Sequence, residues 1–333
     1  MNARTKPQTL LEIEDLHIWY STSQGESKAV NGLDLKVNCG EIFGLAGESG
    51  CGKSTLIQGI LRLTKLPGHI QSGKITLYLG ARGGNGDIVD LLSLNAAEMR
   101  QLRWKHISYI PQSAMNVLNP VARIETQMMD ALNAHIKLSK NEARELIGER
   151  LEMVGLSKGV ARMYPHELSG GMKQRVTIAA AITMNPDLLI ADEPTTALDV
   201  NVQRVILQEL EDVRNELGLT ILYVTHDMAV HAQIADRIGI MYAGLIVEVG
   251  TATDVLKNPL HPYSNALASA TPKVGGERKR LQSLQGVVPS PLAWPTGCAF
   301  HPRCSQVMDI CREQKPELRE CAPGRSVACH LYT

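Results

Sequence analysis

A glycine-rich stretch near the start of the chain, GESGCGKS at 47–54, has the residue types that hold phosphate groups. It matches the pattern GxxxxGK[ST] and lies between a short apolar run at 41–46 and a helical pattern at 55–62, as that motif requires. Glycines allow consecutive backbone N–H groups to converge on phosphate oxygens at the N-terminus of a helix. A chance glycine loop is the alternative, and the flanking elements disfavour it.

The residues of this loop have separate expected roles toward a nucleotide. Lys53 would reach the β- and γ-phosphates, and the hydroxyl of Ser54 would ligate Mg²⁺. Cys51 would contribute only its backbone N–H group. The residues predicted to contact the phosphates are Gly47, Ser49, Gly50, Cys51, Gly52, Lys53, Ser54 and Thr55.

Two adjacent carboxylates end a second apolar run, LLIADE at 188–193. Ligands of open α/β sheets collect at the carboxyl ends of strands, so this position suits a reacting nucleotide. Asp192 is predicted to hold Mg²⁺ through water, and Glu193 to polarise the water that attacks the γ-phosphate. The alternative is that both residues only begin a turn before Pro194, and the phosphate loop upstream disfavours it.

The cysteines form a third chemical signal, because five of the seven lie between residues 298 and 329. Structural disulfides are not expected in a cytosolic chain. A loop-rich tail buries little apolar surface, so a metal held by four thiolates is a plausible source of its stability. Zinc and an iron–sulfur cluster both suit thiolates, and incidental free cysteines remain a further alternative.

The elements that must position these residues alternate between strand and helix. Helical patterns at 55–62, 121–156 and 200–217 separate apolar runs typical of buried strands. This order predicts an α/β fold with a mostly parallel sheet covered on both faces. The strand-like runs are 10–18, 33–37, 41–46, 187–191 and 220–225.

Two further segments predict paired strands. Residues 74–92 indicate two strands joined by a glycine-rich turn, and residues 237–250 indicate a hairpin that turns at Ala243 and Gly244. From about residue 256 prolines become frequent and the cysteines follow. This change indicates a small loop-rich C-terminal module, 256–333, after a nucleotide-binding domain, 1–255.

Composition excludes some classes of function. The 34 basic residues are balanced by 34 acidic ones, so no net charge favours nucleic acid as a partner. The N-terminus lacks the apolar core of a signal peptide, and apolar runs such as 176–184 are shorter than the roughly 18 residues that span a bilayer. A cytosolic chain is expected, and a peripheral membrane partner remains open.

The sequence LSGGM at 168–172 makes the interpretation specific. Together with the phosphate loop, LLIADE, YIPQ ending at Gln112, TALD at 196–199 and VTHD at 224–227, it strongly resembles the ATP-binding-cassette (ABC) ATPases. The motifs occur in that family's order over residues 10–250. The resemblance implies a P-loop ABC nucleotide-binding domain with an antiparallel β subdomain and an inserted helical subdomain at about 113–165.

The resemblance also implies a role for each matching residue. Gln112 would contact Mg²⁺ and the attacking water, His226 would contact the γ-phosphate and hold Glu193, and Tyr20 would stack on adenine. Two domains of this family enclose two ATP molecules, so some residues would serve the ATP of a partner subunit. Met172 departs from the usual glutamine. The residues that would reach the partner's ATP are Ser169, Gly170, Gly171 and Asp199.

The C-terminal module carries a second, narrower resemblance. LHPYSNAL at 260–267, GVVPSP at 286–291 and GCAFHPRC at 297–304 resemble the extension of the oligopeptide/dipeptide branch of these ATPases. That resemblance implies a [4Fe–4S] cluster, with Zn²⁺ as the alternative and Cys321 as an extra thiol. The implied ligands are Cys298, Cys304, Cys311 and Cys329.

The expected function is therefore that of an ATPase subunit, peripheral on the cytoplasmic face of the inner membrane, that powers peptide import. Its implied partners are two membrane-spanning permease subunits, a second ABC ATPase that is a copy or a related chain, and indirectly an extracytoplasmic substrate-binding protein. Nucleic acid is not an expected partner. Import of oligosaccharides or nickel, a soluble ABC ATPase acting on DNA or ribosomes, and a redox-regulatory protein are the alternatives.

Overall fold

A computed structural model describes residues 8–79, 86–112, 116–196, 198–270 and 286–332 of the 333-residue chain. Two sheets organise these residues, one antiparallel and one mostly parallel. The α/β fold expected from the sequence is confirmed. No helix in the described ranges is both long and apolar enough to cross a membrane.

The antiparallel sheet contains the N-terminal strands, in the order β2-β1-β4-β5. The predicted strands at 10–18 and 33–37 are present and longer than expected, because they continue into one another as a hairpin. The glycine-rich turn predicted within 74–92 falls on 80–85, outside the described residues. The strands are β1 (Thr9–Thr22), β2 (Gly25–Asn38), β4 (Gly68–Tyr78) and β5 (Ile88–Asp90).

The second sheet has a parallel centre. Its strands β3 (Ile42–Ala46), β7 (Leu188–Asp192) and β8 (Thr220–Val224) are completely buried, as their unbroken apolar sequences require. The predicted hairpin at 237–250 is confirmed. The remaining strands of this part of the sheet are β6 (Ile107–Ile110), β9 (Arg237–Tyr242) and β10 (Leu245–Thr251).

Helices cover the sheet, and several begin at residues whose side chains accept backbone N–H groups. Ser139 and Asp199 cap the starts of α4 and α6 in this way, satisfying donors that a helix leaves unpaired. The helical pattern at 121–156 forms two helices, α3 and α4. The helices up to residue 217 are α1 (Lys53–Ile60), α2 (Ala96–Leu102), α3 (Ile124–Asn133), α4 (Lys140–Met153), α5 (Gly170–Ile182) and α6 (Val200–Leu217).

The C-terminal residues extend the second sheet instead of forming a purely loop-rich tail. The sequence did not predict β11 (Arg319–Ala322) or β12 (Arg325–Val327), of which β12 pairs with β10 through Glu248 and Val327. The full order is β11-β12-β10-β9-β3-β8-β7-β6. Four short helices complete this part: α7 (Met228–Ile234), α8 (Ala252–Lys257), α9 (Pro262–Ser269) and α10 (Ile310–Glu313).

An aromatic cluster joins the C-terminal residues to the rest of the domain. The Tyr242 ring centroid lies 4.6 Å from that of Tyr263 and 5.2 Å from that of Phe300, and all three side chains are buried. Burial of one large apolar side chain stabilises a fold by about 1.5–3 kcal/mol. The C-terminal residues therefore pack on the nucleotide-binding domain through a buried aromatic core, to which β9 contributes Tyr242.

Candidate functional site

The phosphate loop connects β3 to α1, the arrangement that the sequence predicted. Gly52 precedes the first turn of α1 with φ of 108°, a conformation that favours glycine. A Cβ atom at this position would lie 2.4 Å from the carbonyl oxygen of Ala29, so no other residue fits without rearrangement. The loop borders a cavity of about 610 Å³, within the usual size range of ligand sites.

The cavity brings together most of the predicted nucleotide contacts. Four of the lining residues come from other loops: Gln112, Asp192, Glu193 and His226. The lining residues from the phosphate loop are Gly47, Ser49, Gly50, Gly52, Lys53, Ser54 and Thr55. The sequence analysis did not single out three further lining residues, Ala29, Glu48 and Leu267. Leu267 belongs to α9, so the C-terminal segment reaches the edge of this site.

Lys53 is held over the loop by the loop's own backbone. Its ammonium group donates hydrogen bonds to the carbonyl oxygens of Gly47 at 2.7 Å and Glu48 at 3.1 Å, and the side chain is buried. A cation in this place suits phosphate oxygens, which would be stronger acceptors than neutral carbonyls. The geometry therefore orients the ammonium group before any anion arrives.

Asp192 lies at the end of β7 with its carboxylate buried beside the loop. Burial and then the neighbouring charge of Glu193 raise its pKa, whereas Tyr109, Lys53 and Ser54 lower it. A buried carboxylate close to a serine hydroxyl is a hard oxygen donor set, which suits Mg²⁺. Ser54, Asp192 and Gln112 border one cavity and so could hold that ion together.

Glu193 is the centre of a hydrogen-bond network. Its Oε1 atom lies 2.7 Å from Nδ1 of His226, and its Oε2 atom accepts from Nε2 of Gln112 at 2.9 Å. The hydroxyl of Thr196 also donates to Oε2, at 3.1 Å, and only the structure identifies this partner. Both carboxylate oxygens are therefore fixed by groups from three separate loops.

The backbone and the charge of Glu193 are unusual in ways that suit catalysis. Its φ of 47° is rare for a residue other than glycine, and such strain concentrates at functional sites. Burial alone would raise the pKa of its carboxyl group, but the hydrogen bond and charge of His226, with Thr196 and Gln112, hold it below the ordinary value of 4.5. Glu193 is thus ionised at neutral pH and can accept a proton.

Some residues named from the sequence lie outside this cavity. The Tyr20 hydroxyl is 3.3 Å from the Thr55 hydroxyl, but Tyr20 does not border the cavity. The Cys51 side chain is buried in the core, where burial raises its thiol pKa. Ser169 caps α5 by accepting the N–H of Met172 at 3.3 Å.

The residues expected to serve a partner's ATP are on the surface of this chain. Ser169, Gly170 and Asp199 are exposed, and Gly171 is partly exposed. Ser169 and Asp199 each begin a helix, so unpaired backbone donors lie near them. They do not border the cavity of their own chain.

The predicted metal-binding thiols converge on a second, much smaller cavity. Cys298, Cys304, Cys311 and Cys329 all border it, whereas Cys321 is exposed and donates to the carbonyl oxygen of Arg325 at 3.4 Å. The sequence analysis missed three histidines on the same cavity, His261, His301 and His330. Nδ1 of His301 and Nε2 of His330 lie 3.0 Å and 2.9 Å from backbone carbonyl oxygens of Cys298 and Gln314. Nδ1 of His261 accepts the N–H group of Tyr263 at 3.0 Å.

Three of the four thiols on this cavity have a raised pKa. Burial, and then the proximity of the other thiols, raises the pKa of Cys298 to about 11, and burial also raises the pKa of Cys304 and Cys329. Metal ligation requires thiolates, so a metal would have to displace these protons.

The four thiols are the right type of ligand for a metal, but their present spacing does not suit one. Four sulfur atoms on one cavity match the requirement of zinc or of an iron–sulfur cluster. Within the described ranges, however, no three Cys, His, Asp or Glu side chains are placed as a metal requires. The cavity is about 10 Å³, room for about one water molecule, so a four-iron cluster would need the side chains to separate.

Comparison with known protein families gives two matches. The model of the family described as "ABC transporter" matches residues 30–196. The model described as "Oligopeptide/dipeptide transporter, C-terminal region" matches residues 247–311. The first match contains the phosphate loop, Gln112 and Glu193, and the second contains Cys298, Cys304 and Cys311.

Curated proteins are similar over nearly the whole chain. The "Dipeptide transport ATP-binding protein DppD" of Caldanaerobacter subterraneus is 39% identical over 325 residues, 97% of each chain. The "Oligopeptide transport ATP-binding protein AppD" of Bacillus subtilis is 40% identical over 327 residues, also 97% of each chain. Both similarities therefore include the cysteine-rich C-terminal residues.

Solved structures are similar over the nucleotide-binding part. The dimeric bacterial ABC transporter cassette MJ0796 is 28% identical, with a TM-score of 0.62 over 73% of this chain and 99% of that one. A post-hydrolysis dimer of the same cassette bound to ADP and Pi has the same TM-score at 27% identity. The chain therefore has the ABC cassette fold over the part that these structures match.

Proposed function

The chain belongs to the ABC transporter ATPases, in their oligopeptide/dipeptide branch, and from this premise we propose that it powers the import of peptides across the cytoplasmic membrane. ATP hydrolysis is the activity of this family. The names of the dipeptide and oligopeptide transport relatives support a peptide as the transported solute. The Glu193 network at the edge of the phosphate cavity is the single observation that carries the catalytic part.

The reaction follows from the groups around the cavity. Backbone N–H groups of the loop and the ammonium group of Lys53 would bind the phosphates. Mg²⁺, when bound by Ser54, Asp192 and Gln112, would neutralise phosphate charge. Glu193 would accept a hydrogen bond from the attacking water and so polarise that water. His226 would hold the Glu193 carboxylate in the required orientation.

A second ATPase subunit would complete each site. Ser169, Gly170, Gly171 and Asp199 are at the surface and do not border the cavity of their own chain, which supports a role toward the ATP of a partner. The dimeric arrangement of the MJ0796 cassette supports the same proposal. ATP binding would close the dimer, and hydrolysis would open it.

An apolar groove in the helical subdomain supports docking of a permease. Trp104, Tyr109, Leu118 and Met128 are among the residues lining this groove of about 190 Å³. The Tyr109 hydroxyl also donates to Oδ2 of Asp192 at 3.4 Å, so one wall of the groove contacts the catalytic site. A permease segment seated there would place this chain at the cytoplasmic face of the membrane.

The cysteine cavity would hold a [4Fe–4S] cluster, with Zn²⁺ as the alternative. Cys298, Cys304, Cys311 and Cys329 border one cavity and Cys321 does not, which supports this choice of four ligands. The four side chains would have to move apart from their present spacing for the cluster to bind. Iron, zinc and acid-labile sulfide measured on protein purified without oxygen distinguish the two metals.

Transport itself is the test of the proposed function. The chain would be reconstituted with its two permease subunits, its partner ATPase and its substrate-binding protein, and ATP-dependent uptake of labelled peptides, oligosaccharides and nickel would be compared. Peptide uptake that stops in a Lys53→Ala variant is the expected result. Uptake of sugar or nickel alone would contradict the peptide assignment, and ATP hydrolysis without binding to permeases would contradict the transport role.

A further inference from the structure

Arg303, a residue of the C-terminal segment, reaches the phosphate loop directly. Its Nη1 and Nη2 atoms donate to the two carboxylate oxygens of Glu48 at 2.7 Å and 3.1 Å. This is a two-point, charge-assisted contact, the strong form of an ion pair. The Arg303 side chain is 3% exposed and the Glu48 side chain 25% exposed, so solvent screens the pair only in part.

A second residue of the C-terminal segment holds the backbone of the same loop residue. The N–H group of Glu48 donates to the Tyr263 hydroxyl at 2.8 Å, and the Tyr263 ring is fixed within the buried aromatic cluster. The carbonyl oxygen of Glu48 in turn accepts a hydrogen bond from Lys53. Glu48 therefore connects the C-terminal segment to the lysine that would bind the phosphates.

The charge of Glu48 gives this contact a consequence for ATP binding. Glu48 lines the nucleotide cavity, where an unpaired carboxylate would repel phosphate oxygens. Arg303, which does not border the cavity, places a positive charge against that carboxylate. Pairing Glu48 with Arg303 therefore removes the electrostatic repulsion between the Glu48 carboxylate and the phosphate groups that bind in the loop.

Arg303 is itself positioned by the cysteine-rich part of the chain. It ends the short helical turn His301–Arg303, which lies between Cys298 and Cys304. Its guanidinium carbon lies 5.8 Å from the ring centroid of Tyr242 and 6.0 Å from that of Phe300. The turn that carries Arg303 is thus bounded by two thiols of the small cavity.

We propose that Arg303 is a positioning residue for the ATP site: it neutralises Glu48 and fixes the phosphate loop, so that the C-terminal cysteine segment sets the affinity for ATP. The inference rests on the proposed binding of ATP in the main cavity. It explains why a nucleotide-binding domain and a cysteine-rich segment share an aromatic core and an ion pair.

The experiment is a double-mutant cycle on the affinity for ATP. Replacement of Arg303 by methionine leaves Glu48 charged and unpaired, so KM and Kd for ATP should rise roughly tenfold with little change in kcat. Glu48→Gln removes the repulsive charge and should cost less. The double variant E48Q/R303M should recover part of the affinity that R303M loses, because no unpaired carboxylate then faces the phosphates.

A role limited to packing predicts the opposite sign in the double variant. R303M and E48Q would then weaken ATP binding additively, and that result would overturn the proposal. Arg303→Lys keeps the charge with a less suitable geometry and should lie between wild type and R303M. If R303M does not fold, the proposal requires Tyr263→Phe and Arg303→Lys each to raise Kd, and unaltered Kd in both would overturn it.

Lys315→Met is the matched control. Lys315 is another cation of the C-terminal segment, and its ammonium group donates to the carbonyl oxygen of Asn31 at 3.3 Å, away from the phosphate loop. The Kd for ATP of this variant should stay within about twofold of the wild-type value, below the scale of a lost charged pair. A wild-type chain that binds no ATP contradicts the proposed function, whereas wild-type binding with an unaltered R303M variant contradicts this inference alone.

Discussion

The nucleotide cavity and the cysteine cavity differ in how their functional groups are held. In the first, Glu193 accepts hydrogen bonds from Gln112 and Thr196 and contacts His226, so its orientation is set by protein groups. In the second, the thiols have only weak sulfur contacts with backbone N–H groups: Gln306 donates to the sulfur of Cys304 at 3.4 Å, and Phe300 and Leu331 donate to Cys298 and Cys329. One site is preorganised, and the other depends on what binds there.

This difference follows from the atoms that form each site. The carboxylate, amide, hydroxyl and imidazole groups around Glu193 satisfy one another without a ligand. Thiols are weak hydrogen-bonding groups, and four of them together gain little until a metal replaces their protons. We therefore expect changes in the nucleotide cavity to alter turnover, and changes in the cysteine cavity to alter stability and metal content.

The largest expected effect is the loss of Glu193. Glu193→Gln keeps the shape and the hydrogen-bonding capacity of the side chain but removes the charge that polarises water. The kcat for ATP should fall by about 10²–10⁴-fold, the usual contribution of a general base. Steady-state hydrolysis and equilibrium ATP binding, measured on the same preparation, check this expectation.

ATP binding provides the internal control for that variant. The Kd for ATP should stay close to the wild-type value, because Glu193 contacts His226 and Gln112 rather than the phosphate loop. Turnover of Glu193→Gln at the wild-type rate would remove Glu193 from the mechanism. A loss of ATP binding equal to the loss of turnover would show that the site is not preorganised in the way the hydrogen bonds indicate.

The second prediction concerns the cysteine cavity. Cys304→Ser should abolish bound metal and lower the thermal stability of the C-terminal segment, because a hydroxyl does not replace a thiolate ligand. Cys321→Ser is the matched control, since Cys321 is exposed and does not border the cavity. Metal analysis and a melting curve should show a wild-type result for Cys321→Ser only.

The same variant separates the two sites. The kcat of Cys304→Ser should stay within about threefold of wild type, because the Glu193 network contains no group from the cysteine cavity. Its KM for ATP should rise no more than that of R303M. A fall in kcat as large as that of Glu193→Gln would show that the cavities act as one unit.

Acid titration gives a third test. His226 helps to hold the pKa of Glu193 below its ordinary value, so the carboxylate stays ionised until the pH falls below about 4.5. Removing His226 removes a group that stabilises the charged carboxylate, so the acid limb of kcat in His226→Ala should move to higher pH. Thr196→Val, which removes one neutral hydrogen bond, should move it less.

A pH profile of kcat for the three proteins makes that comparison. An acid limb of His226→Ala at the wild-type position would contradict the link between the two residues. A larger shift in Thr196→Val than in His226→Ala would show that Thr196, and not His226, is the main cause of the lowered pKa of Glu193.

Much of the nucleotide site could be predicted because its residues lie at fixed spacing. The loop, Asp192 and Glu193 follow buried strands whose apolar runs are evident in the sequence. Thr196 could not be identified, because a threonine three residues after Glu193 has many possible roles. The pairing of Arg303 with Glu48 joins residues 255 positions apart, and no local pattern predicts it.

The sequence analysis also missed the buried strand β6, whereas the two C-terminal strands that it missed, β11 and β12, have a common cause. β11 and β12 are four and three residues long, and every residue of β11 is exposed, so no apolar alternation marks them. The sequence analysis predicted a strand from residue 74, whereas β4 begins at Gly68. The first six residues of the strand, GHIQSG, were missed because they include two glycines and polar residues. Tertiary pairing with β1 supplies the strand conformation there, which local propensity does not.

The smallest expected effect tests the adenine contact, which was predicted for Tyr20 although Tyr20 does not border the cavity. If Tyr20 stacks on adenine, Tyr20→Ala should raise the KM for ATP roughly fivefold, the lower end of about 1–3 kcal/mol for base stacking. Tyr20→Phe keeps the ring and loses only the 3.3 Å contact with Thr55, so its KM should stay near the wild-type value. Trp19→Ala is the matched control, because it removes the neighbouring aromatic ring. The Trp19 ring has a different partner, the Lys28 ammonium group, which lies 5.0 Å from the ring centroid. A larger effect in Trp19→Ala would transfer the stacking role to that residue.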